Sequence, residues 1–482
     1  MGKLEELKEL SISKTTIEEI PSCIGSLKGL IYLDFSRCEK LQLLPREMGK
    51  LEELKELNIS ETFIEEIPPC IGSLKKLEIL HAHGCESLVG LPSSISHLVN
   101  LSTLNLSMCI SLNRLPESRE GDASHWETLM ECAGNGLYNA PIAKTKLLKL
   151  SNLPSTIGKL GNLEELHASY CRSLGGEIPI DGLSSLKILV LSWTGISSFP
   201  DKFDKLSHLE KLDLRGCKML QSLPESTSMS SSLQHLLLTD CYELQSLPEF
   251  PSYLTVLEVT CHHRTIPQLS HLIHLKEITI YKCKLLESMP ELPSTILKLF
   301  VYGCDELKEL PSLSGLKLLS QLDIQNCREL TEIKGLEALK SLIYLSVSGS
   351  KKLSKFDGLE HAESLRYLDM SFSLVIDDLV QAQGLGRLKN LEELDISCCE
   401  YLIRPDLSQL THLIRLYAKN CHNLVEIKGL DRLKKLEWLN IQGCTSIETL
   451  PDLCFENLKI LDFWQCSELR HQIVHICQIS KI

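Results

Sequence analysis

Cysteines are the most numerous residues of this sequence that could bind a metal, form disulfides or act as nucleophiles. There are 20 of them, and 13 recur five residues after the central leucine or isoleucine of a short apolar pattern. The 13 are Cys38, Cys85, Cys109, Cys171, Cys217, Cys241, Cys283, Cys304, Cys327, Cys399, Cys421, Cys444 and Cys466. Equivalent side chains in neighbouring copies of this pattern would lie about 4.8 Å apart and all point into a packed core, which does not favour a metal or disulfide site. One cysteine per pattern predicts instead a structural ladder of small, buried side chains.

Histidine clusters and aspartates are the remaining candidates for chemistry. Four histidines fall within residues 262–274, and two more lie between Cys466 and Cys477, but both groups lack the closely paired cysteines of a zinc finger. An aspartate follows the central leucine at Asp34, Asp213, Asp323, Asp369, Asp395 and Asp462. We interpret these aspartates as a solvated acidic stripe, because no nucleophile or orienting histidine accompanies them. The sequence thus predicts no catalytic residue, no metal site and no cofactor.

An internal repeat organises the chain. The segment Leu30-Ile-Tyr-Leu33-Asp-Phe35-Ser-Arg-Cys38 recurs with its central position at 10, 33, 57, 80, 104, 166, 189, 212, 236, 257, 278, 299, 322, 345, 368, 394, 416, 439 and 461. Alternation of apolar residues predicts a short strand with one buried face. Proline has a fixed φ and lacks the N–H that a central strand would donate. The Leu-Pro positions after the strands are therefore expected in the return segments, outside the sheet. We expect an α/β leucine-rich-repeat solenoid, a curved horseshoe with a parallel sheet on its concave face and irregular or short helical convex segments.

The repeat also predicts the domain organisation. Leucine-rich repeats would occupy residues 1–116, with an uncapped start, and 147–466, with an irregular insertion at 117–146 and a helical cap or tail at 467–482. The step from Leu104 to Leu166 is too long for one repeat. We therefore expect one degenerate repeat carrying the insertion there.

Exposed strand positions carry an unusual share of the aromatic residues, which make up only 5% of the chain. The concave positions with the largest rings are Trp193, Tyr281, Phe300, Tyr302, Tyr344, Tyr367, Tyr417, Trp438 and Trp464. Tyrosine and tryptophan are favoured at interfaces because they bury a large area at a low entropy cost. The alternative is that strands simply favour aromatic residues. The pattern favours a protein-binding surface.

Composition excludes several other functions. The net charge is −13 and no basic patch is clustered, so we expect no nucleic-acid partner. No stretch approaches 18 uninterrupted apolar residues, which predicts no membrane span. The first residues do not form a signal peptide, so we expect reduced cysteines and a cytoplasmic location, with the nucleus as an alternative.

The repeat motif LxxLxxLxLxxCxxLxxLPxxIGxL resembles the repeat domain of plant intracellular nucleotide-binding leucine-rich-repeat immune receptors of the TIR class. Residues 92–109 (PSSISHLVNLSTLNLSMC) and 206–224 (LSHLEKLDLRGCKMLQSLP) carry the resemblance. It implies a non-catalytic recognition domain whose ligand is a pathogen effector or the receptor's own nucleotide-binding switch domain, and which holds the receptor inactive. The sequence contains no GxxxxGK[ST] phosphate loop, so this switch would lie elsewhere in a longer receptor or on a partner.

Two other functions remain open from the sequence. A general cytosolic scaffold for signalling proteins would use the same repeats, and so would the substrate receptor of a ubiquitin ligase. No F-box-like helical segment supports the latter.

Overall fold

The computed structural model describes residues 6–112, 155–175, 178–356, 358–373, 385–450 and 457–471. The chain divides into two compact units, Met1–Leu233 and Gln234–Ile482. Both units consist of short parallel strands joined by return segments, many of which contain 3₁₀ helices. The predicted insertion at 117–146 lies outside the described residues. The predicted cap at 467–482 is described only through His471, where Glu468–His471 forms a 3₁₀ helix with Leu469 buried.

The first unit contains eight of the described strands. They are β1 (Glu9–Ser11), β2 (Tyr32–Asp34), β3 (Glu56–Asn58), β4 (Ile79–His81), β5 (Thr103–Asn105), β6 (Glu165–His167), β7 (Ile188–Val190) and β8 (Lys211–Asp213). Each pairs in parallel with the next. The 3₁₀ helices are Ser22–Ser26, Arg46–Lys50, Pro69–Ser73, Ser93–His97, Ser155–Lys159, Phe203–Lys205 and Glu225–Met229.

The second unit contains eleven described strands. They are β9 (His235–Leu238), β10 (Val256–Val259), β11 (Glu277–Tyr281), β12 (Lys298–Tyr302), β13 (Gln321–Gln325), β14 (Tyr344–Ser346), β15 (Tyr367–Asp369), β16 (Glu393–Asp395), β17 (Arg415–Tyr417), β18 (Trp438–Asn440) and β19 (Ile460–Asp462). All consecutive pairs are parallel. Besides Glu468–His471, its 3₁₀ helices are Leu313–Gly315, Leu336–Ala338, Leu359–His361, Leu385–Arg387 and Leu430–Arg432.

The central apolar position of every predicted repeat is the second residue of a strand. Within each unit the register aligns these positions, so that Leu33 lies beside Leu57 and Leu57 beside Leu80. All three side chains are fully buried. Stacking therefore builds a continuous leucine core that no single repeat could form. The predicted leucine-rich-repeat solenoid with parallel strands and short helical returns is confirmed.

The long step after Leu104 joins two strands that are neighbours in the sheet. Strand β5 pairs directly with β6, with Leu104 beside Leu166. The degenerate repeat expected in this step falls on residues 113–154, which lie outside the described residues, so it stays a prediction.

Two recurring kinds of return segment begin a 3₁₀ helix in different ways. In the first unit, prolines such as Pro21 and Pro45 stand just before a 3₁₀ helix with extended backbone angles. Proline suits this place because its fixed φ starts a helical turn and the missing N–H is not needed. In the second unit, the residues just before three of the 3₁₀ helices are instead glycines with left-handed backbone angles, Gly335, Gly358 and Gly429. The sequence motif with proline does not anticipate this second kind.

A left-handed residue follows nearly every strand. Among the described residues, eighteen of the nineteen repeats have a positive φ immediately before the ladder position. These residues are Lys14, Arg37, Glu61, Gly84, Met108, Tyr170, Trp193, Gly216, Asp240, Lys282, Gly303, Asn326, Gly349, Phe372, Cys398, Asn420, Gly443 and Gln465. The backbone N–H typically donates to a carbonyl of the next repeat, as Lys14 does to Ser36 at 2.8 Å. This bond repays the steric cost of the conformation.

The β10 repeat is the exception and has one residue fewer in its turn. Cys261 takes the ladder position there one residue early and is buried. The N–H of Asp240 donates to Oγ1 of Thr260 at 3.0 Å, and this hydroxyl donates to the carbonyl of Tyr281 at 2.7 Å. A threonine side chain thus takes the part that backbone carbonyls play in the other turns.

Candidate protein-binding surface

The exposed side of the second unit's sheet carries most of the aromatic residues singled out in the sequence. We call the seven that lie on its strands the aromatic face: Tyr281, Phe300, Tyr302, Tyr344, Tyr367, Tyr417 and Trp438. All seven are half-buried, because each ring packs against its neighbours while one surface remains in solvent. Alternation places them opposite the buried leucines of the same strands.

Ring contacts follow from the strand register. Tyr344 lies beside Tyr367, and their rings stack with centroids 4.4 Å apart and planes 3° apart. Tyr302 contacts Phe300 at 6.1 Å and Tyr281 at 6.3 Å. These distances are typical of favourable aromatic pairs. The result is a pre-ordered surface whose rings lose little freedom when a ligand covers them.

A second, separate pair lies further along the same sheet. Tyr417 and Trp438 occupy neighbouring strands with ring centroids 6.3 Å apart and planes tilted by 46°. The indole N–H of Trp438 has no acceptor among the described residues. A buried donor without a partner costs free energy, so this pair offers both apolar area and an unmet hydrogen bond.

Two of the predicted residues are not on strands. Trp193 lies in the left-handed turn after β7 of the first unit, stacked on Tyr170 at 5.9 Å. Gly216 makes room for it, since a Cβ there would lie 2.5 Å from the indole. Trp464 follows β19 by two residues and is 65% exposed. The sequence pattern predicts both residues at exposed strand positions. In the structure the strands end before these residues.

The aspartates that follow the central leucines are largely structural. Asp34, Asp369 and Asp395 each accept a hydrogen bond from the backbone N–H two residues later, at 2.8–2.9 Å. Side chains of this kind often close such local turns. The expected solvated stripe is wrong for Asp34, Asp213 and Asp323, which are only 7, 2 and 5% exposed. Neighbouring side chains cover them, and hydrogen bonds replace the lost water except at Oδ1 of Asp323, which has no partner among the described residues.

Electrostatics on the aromatic face are dominated by carboxylates. Burial raises the pKa of Asp323 and, together with the charge of Asp369, that of Asp395. The phenol of Tyr302 donates to Oδ2 of Asp323 at 2.9 Å. Burial, followed by the charges of Asp323 and Asp369, raises the pKa of Tyr344 to about 12. These phenols therefore stay neutral donors at physiological pH.

The 13 predicted ladder cysteines are all buried, and all are free thiols. Their sulfurs typically donate to a carbonyl of the preceding repeat, for example Cys109 to Ala82 at 3.1 Å and Cys444 to Ala418 at 2.8 Å. Threonine fills the same place in three repeats, where Thr62 Oγ1 lies 3.5 Å from Cys85 Sγ. The ladder thus joins neighbouring repeats through side chains as well as strands. No group of three or more potential metal ligands occurs within the described ranges.

Burial predicts that the ladder thiols are protected from alkylation. It raises the pKa of Cys171 to about 12, so the reactive thiolate is scarce at pH 8. We expect iodoacetamide to label the exposed Cys23 at least about 100-fold faster than Cys171 in the native protein. Peptide mass spectrometry would give the two rates, and labelling in about 6 M guanidinium serves as the control. Equal native rates would contradict a buried ladder.

Comparisons with known proteins give short sequence matches. Two relatives are disease resistance-like protein DSC1 of Arabidopsis thaliana, 42% identical over 72 residues, and TMV resistance protein N of Nicotiana glutinosa, 40% identical over 74. Each match covers 15% of this chain and 6% of the relative. A putative disease resistance protein of Arabidopsis thaliana is 39% identical over 171 residues, 33% of this chain and 14% of that protein. The chain therefore spans a small part of these relatives. No protein-family model matches.

Solved structures share the fold. A leucine-rich-repeat protein of Leptospira interrogans aligns with a TM-score of 0.55 at 24% identity, over 92% of this chain and 91% of that one. The functional domain of InlJ from Listeria monocytogenes, described as including a cysteine ladder, aligns with a TM-score of 0.52 at 14% identity, over 85% and 71%. These likenesses concern the fold.

The fold and the repeat motif define a leucine-rich-repeat protein. Its sequence relatives are plant disease-resistance proteins, which confirms the resemblance seen in the motif. Fold and relatives together support a protein-interaction domain. Among the described residues, no helix has the length and apolar composition needed to cross a membrane.

Proposed function

We propose that this chain is a non-catalytic recognition domain that binds a protein ligand on the aromatic face. The observation that carries the proposal is the clustering of seven half-buried rings on one side of neighbouring strands. Rings held by stacking are favoured interface anchors, because they bury large apolar areas without further ordering. A protein with a net charge of −13 also favours basic partners and fast association at low salt.

The ligand we propose is a pathogen effector or the nucleotide-binding switch domain of a plant immune receptor. The disease-resistance relatives support this choice, and the absence of a phosphate loop means that the switch would be outside this sequence. In this proposal the domain holds the switch inactive until an effector is recognised. It would act in the cytoplasm, where its thiols stay reduced.

Binding experiments can test the two ligands separately. The chain would be immobilised and exposed to purified plant-pathogen effectors and to the nucleotide-binding region of a resistance protein, with surface plasmon resonance as the readout. We expect at least one of them to bind with a dissociation constant of about 10 μM or tighter. If every effector tested and the switch region fail to bind at that concentration, the proposal is wrong.

A further inference from the structure

We propose that Asp323, Asp369 and Asp395, together with Tyr344 and Tyr367, form a site for an arginine side chain of the protein ligand. The inference rests on the proposed function, since it names the chemistry that the aromatic face would recognise. It concerns strands β13 to β16 of the second unit and adjoins the Tyr417–Trp438 pair, since Asp395 lies beside Tyr417 in the strand register.

The three carboxylates lie in one row across neighbouring strands. Asp323 aligns with Ser346, Ser346 with Asp369, and Asp369 with Asp395. Strands in a sheet are about 4.8 Å apart, so Asp369 and Asp395 are close enough to repel each other. Burial and the charge of Asp369 raise the pKa of Asp395, in keeping with that repulsion.

The nearby lysine and arginine side chains form ion pairs with other carboxylates. Arg415 pairs with Glu393 at 3.0 Å, Lys298 pairs with Glu277 at 2.7 Å, and Arg366 pairs with Glu392. Among the described residues, none of the three aspartates has a lysine or arginine within ion-pair distance. By contrast, Asp213 in the first unit is paired with Arg215 at 2.7 Å. The row therefore carries negative charge that this part of the chain leaves uncompensated.

Asp323 gives an independent indication that this row of carboxylates suits a cationic ligand. It is 5% exposed, yet its Oδ1 has no hydrogen-bond partner among the described residues. Its Oδ2 accepts from Tyr302 and from the side chain of Gln325. Unlike Asp369 and Asp395, it is not bonded to the backbone N–H two residues later, because β13 continues through Gln325. A buried carboxylate oxygen without a donor costs free energy, and the positive charge of a cation bound beside the row would offset part of that cost.

The aromatic rings favour arginine over lysine. The rings of Tyr344 and Tyr367 lie nearly parallel to each other. Their strands, β14 and β15, lie between the strands that carry Asp323 and Asp395. A guanidinium can stack on such rings and donate several hydrogen bonds to carboxylates at once, whereas an ammonium acts as a compact point charge.

A peptide-binding assay tests the site without the natural ligand. The probe is a fluorescein-labelled peptide of five Arg-Gly repeats, and its binding to the full chain is followed by anisotropy at low salt. Because an arginine site of this kind needs charged acceptors, we expect the double variant Asp369→Asn/Asp395→Asn to bind about tenfold more weakly. Asparagine keeps a carbonyl for the turn hydrogen bonds, and circular dichroism melting would verify the fold.

The first unit offers a matched control. Glu9 and Glu56 flank Tyr32 on neighbouring strands, so Glu9→Gln/Glu56→Gln removes the same charge beside a tyrosine. We expect this control to change affinity less than about twofold. Equal losses in the two double variants, or no loss in either, would overturn the proposal. If the aspartate variant fails to fold, Tyr344→Leu/Tyr367→Leu replaces it, with the same expected loss.

A lysine peptide separates the arginine assignment from general charge attraction. Five Lys-Gly repeats should bind at least about threefold more weakly than the arginine peptide, and equal affinity would overturn the choice of arginine. The affinity of the arginine peptide could be unchanged in Asp369→Asn/Asp395→Asn while a protein ligand still requires Tyr417 and Trp438. In that case the inference fails and the proposed function stands. If no protein ligand binds the aromatic face, the proposed function fails whatever the peptide does.

Discussion

Replacing Gly335 with alanine is expected to lower the free energy of unfolding by about 3 kcal/mol. Gly335 has a φ of 89°, and a Cβ at this position would lie 2.4 Å from the backbone nitrogen of Ser314 in the preceding repeat. A side chain in the left-handed region costs about 1–2 kcal/mol, and the overlap adds to it because backbone cannot move aside. Urea unfolding followed by circular dichroism would measure the loss.

Gly315 provides the control for this prediction, since it lies in the preceding repeat. Its φ is not left-handed, and a Cβ added at this position would meet open space, with no contact within 4 Å. Gly315→Ala should leave the unfolding free energy unchanged or raise it by up to about 1 kcal/mol. Similar losses in both variants would mean that close packing of repeats at Gly335 is not the cause.

Truncating the Tyr417–Trp438 pair is expected to weaken binding of a protein ligand by about 100-fold or more. The variant Tyr417→Ala/Trp438→Ala removes two rings that contact each other on neighbouring strands. Aromatic anchors at interface centres typically contribute about 2 kcal/mol or more each, and the effects of touching residues are not additive. Surface plasmon resonance with an effector or switch region that binds the wild-type chain would measure the loss.

The matched control truncates two aromatic residues of the second unit that are exposed but lie off the strands. Tyr253 and Tyr401 are 50 and 58% exposed. Tyr253→Ala/Tyr401→Ala should change affinity less than about threefold, because scattered surface rings contribute little. A larger loss from this control than from the strand pair would place the interface elsewhere. Unchanged melting temperatures would show that both variants are folded.

Much of the fold could be predicted because one physical constraint repeats along the chain. Each strand must bury a leucine against its neighbours, so the spacing of residues such as Leu33, Leu57 and Leu80 fixes both strand position and register. The return segments were less predictable. The prolines at Pro21 and Pro45 indicate return segments in the sequence. The return segments in which Gly335 and Gly429 precede the 3₁₀ helix have no proline to indicate them.

The left-handed turns could not be predicted from residue type. Lysine, arginine, tryptophan and glutamate occupy many of these positions, although glycine and asparagine are the residues that favour positive φ. Hydrogen bonds between consecutive repeats impose the conformation, as at Lys14 and Gly349. Such bonds depend on the stacked structure and leave no local pattern in the sequence.

The candidate site also has features that could be predicted from the sequence and features that could not. Alternation within strands correctly placed Tyr344 and Tyr367 on one face, but it could not show that Trp193 belongs to a turn. It also missed Asp323 as a residue distinct from the other aspartates. The signal for Asp323 is its position within a five-residue strand, where the local turn that occupies the carboxylates of Asp369 and Asp395 does not form.

Hydroxyl-radical footprinting would show directly whether a protein ligand covers the aromatic face. The chain would be oxidised alone and in complex with a protein that binds it, and the modification of each ring would be read by mass spectrometry. If the aromatic face is the binding surface, Tyr367, Tyr417 and Trp438 should be protected by the ligand, while Tyr253 and Tyr401 should be oxidised at unchanged rates. Protection of Tyr253 and Tyr401 with no change at the aromatic face would show that the ligand binds elsewhere.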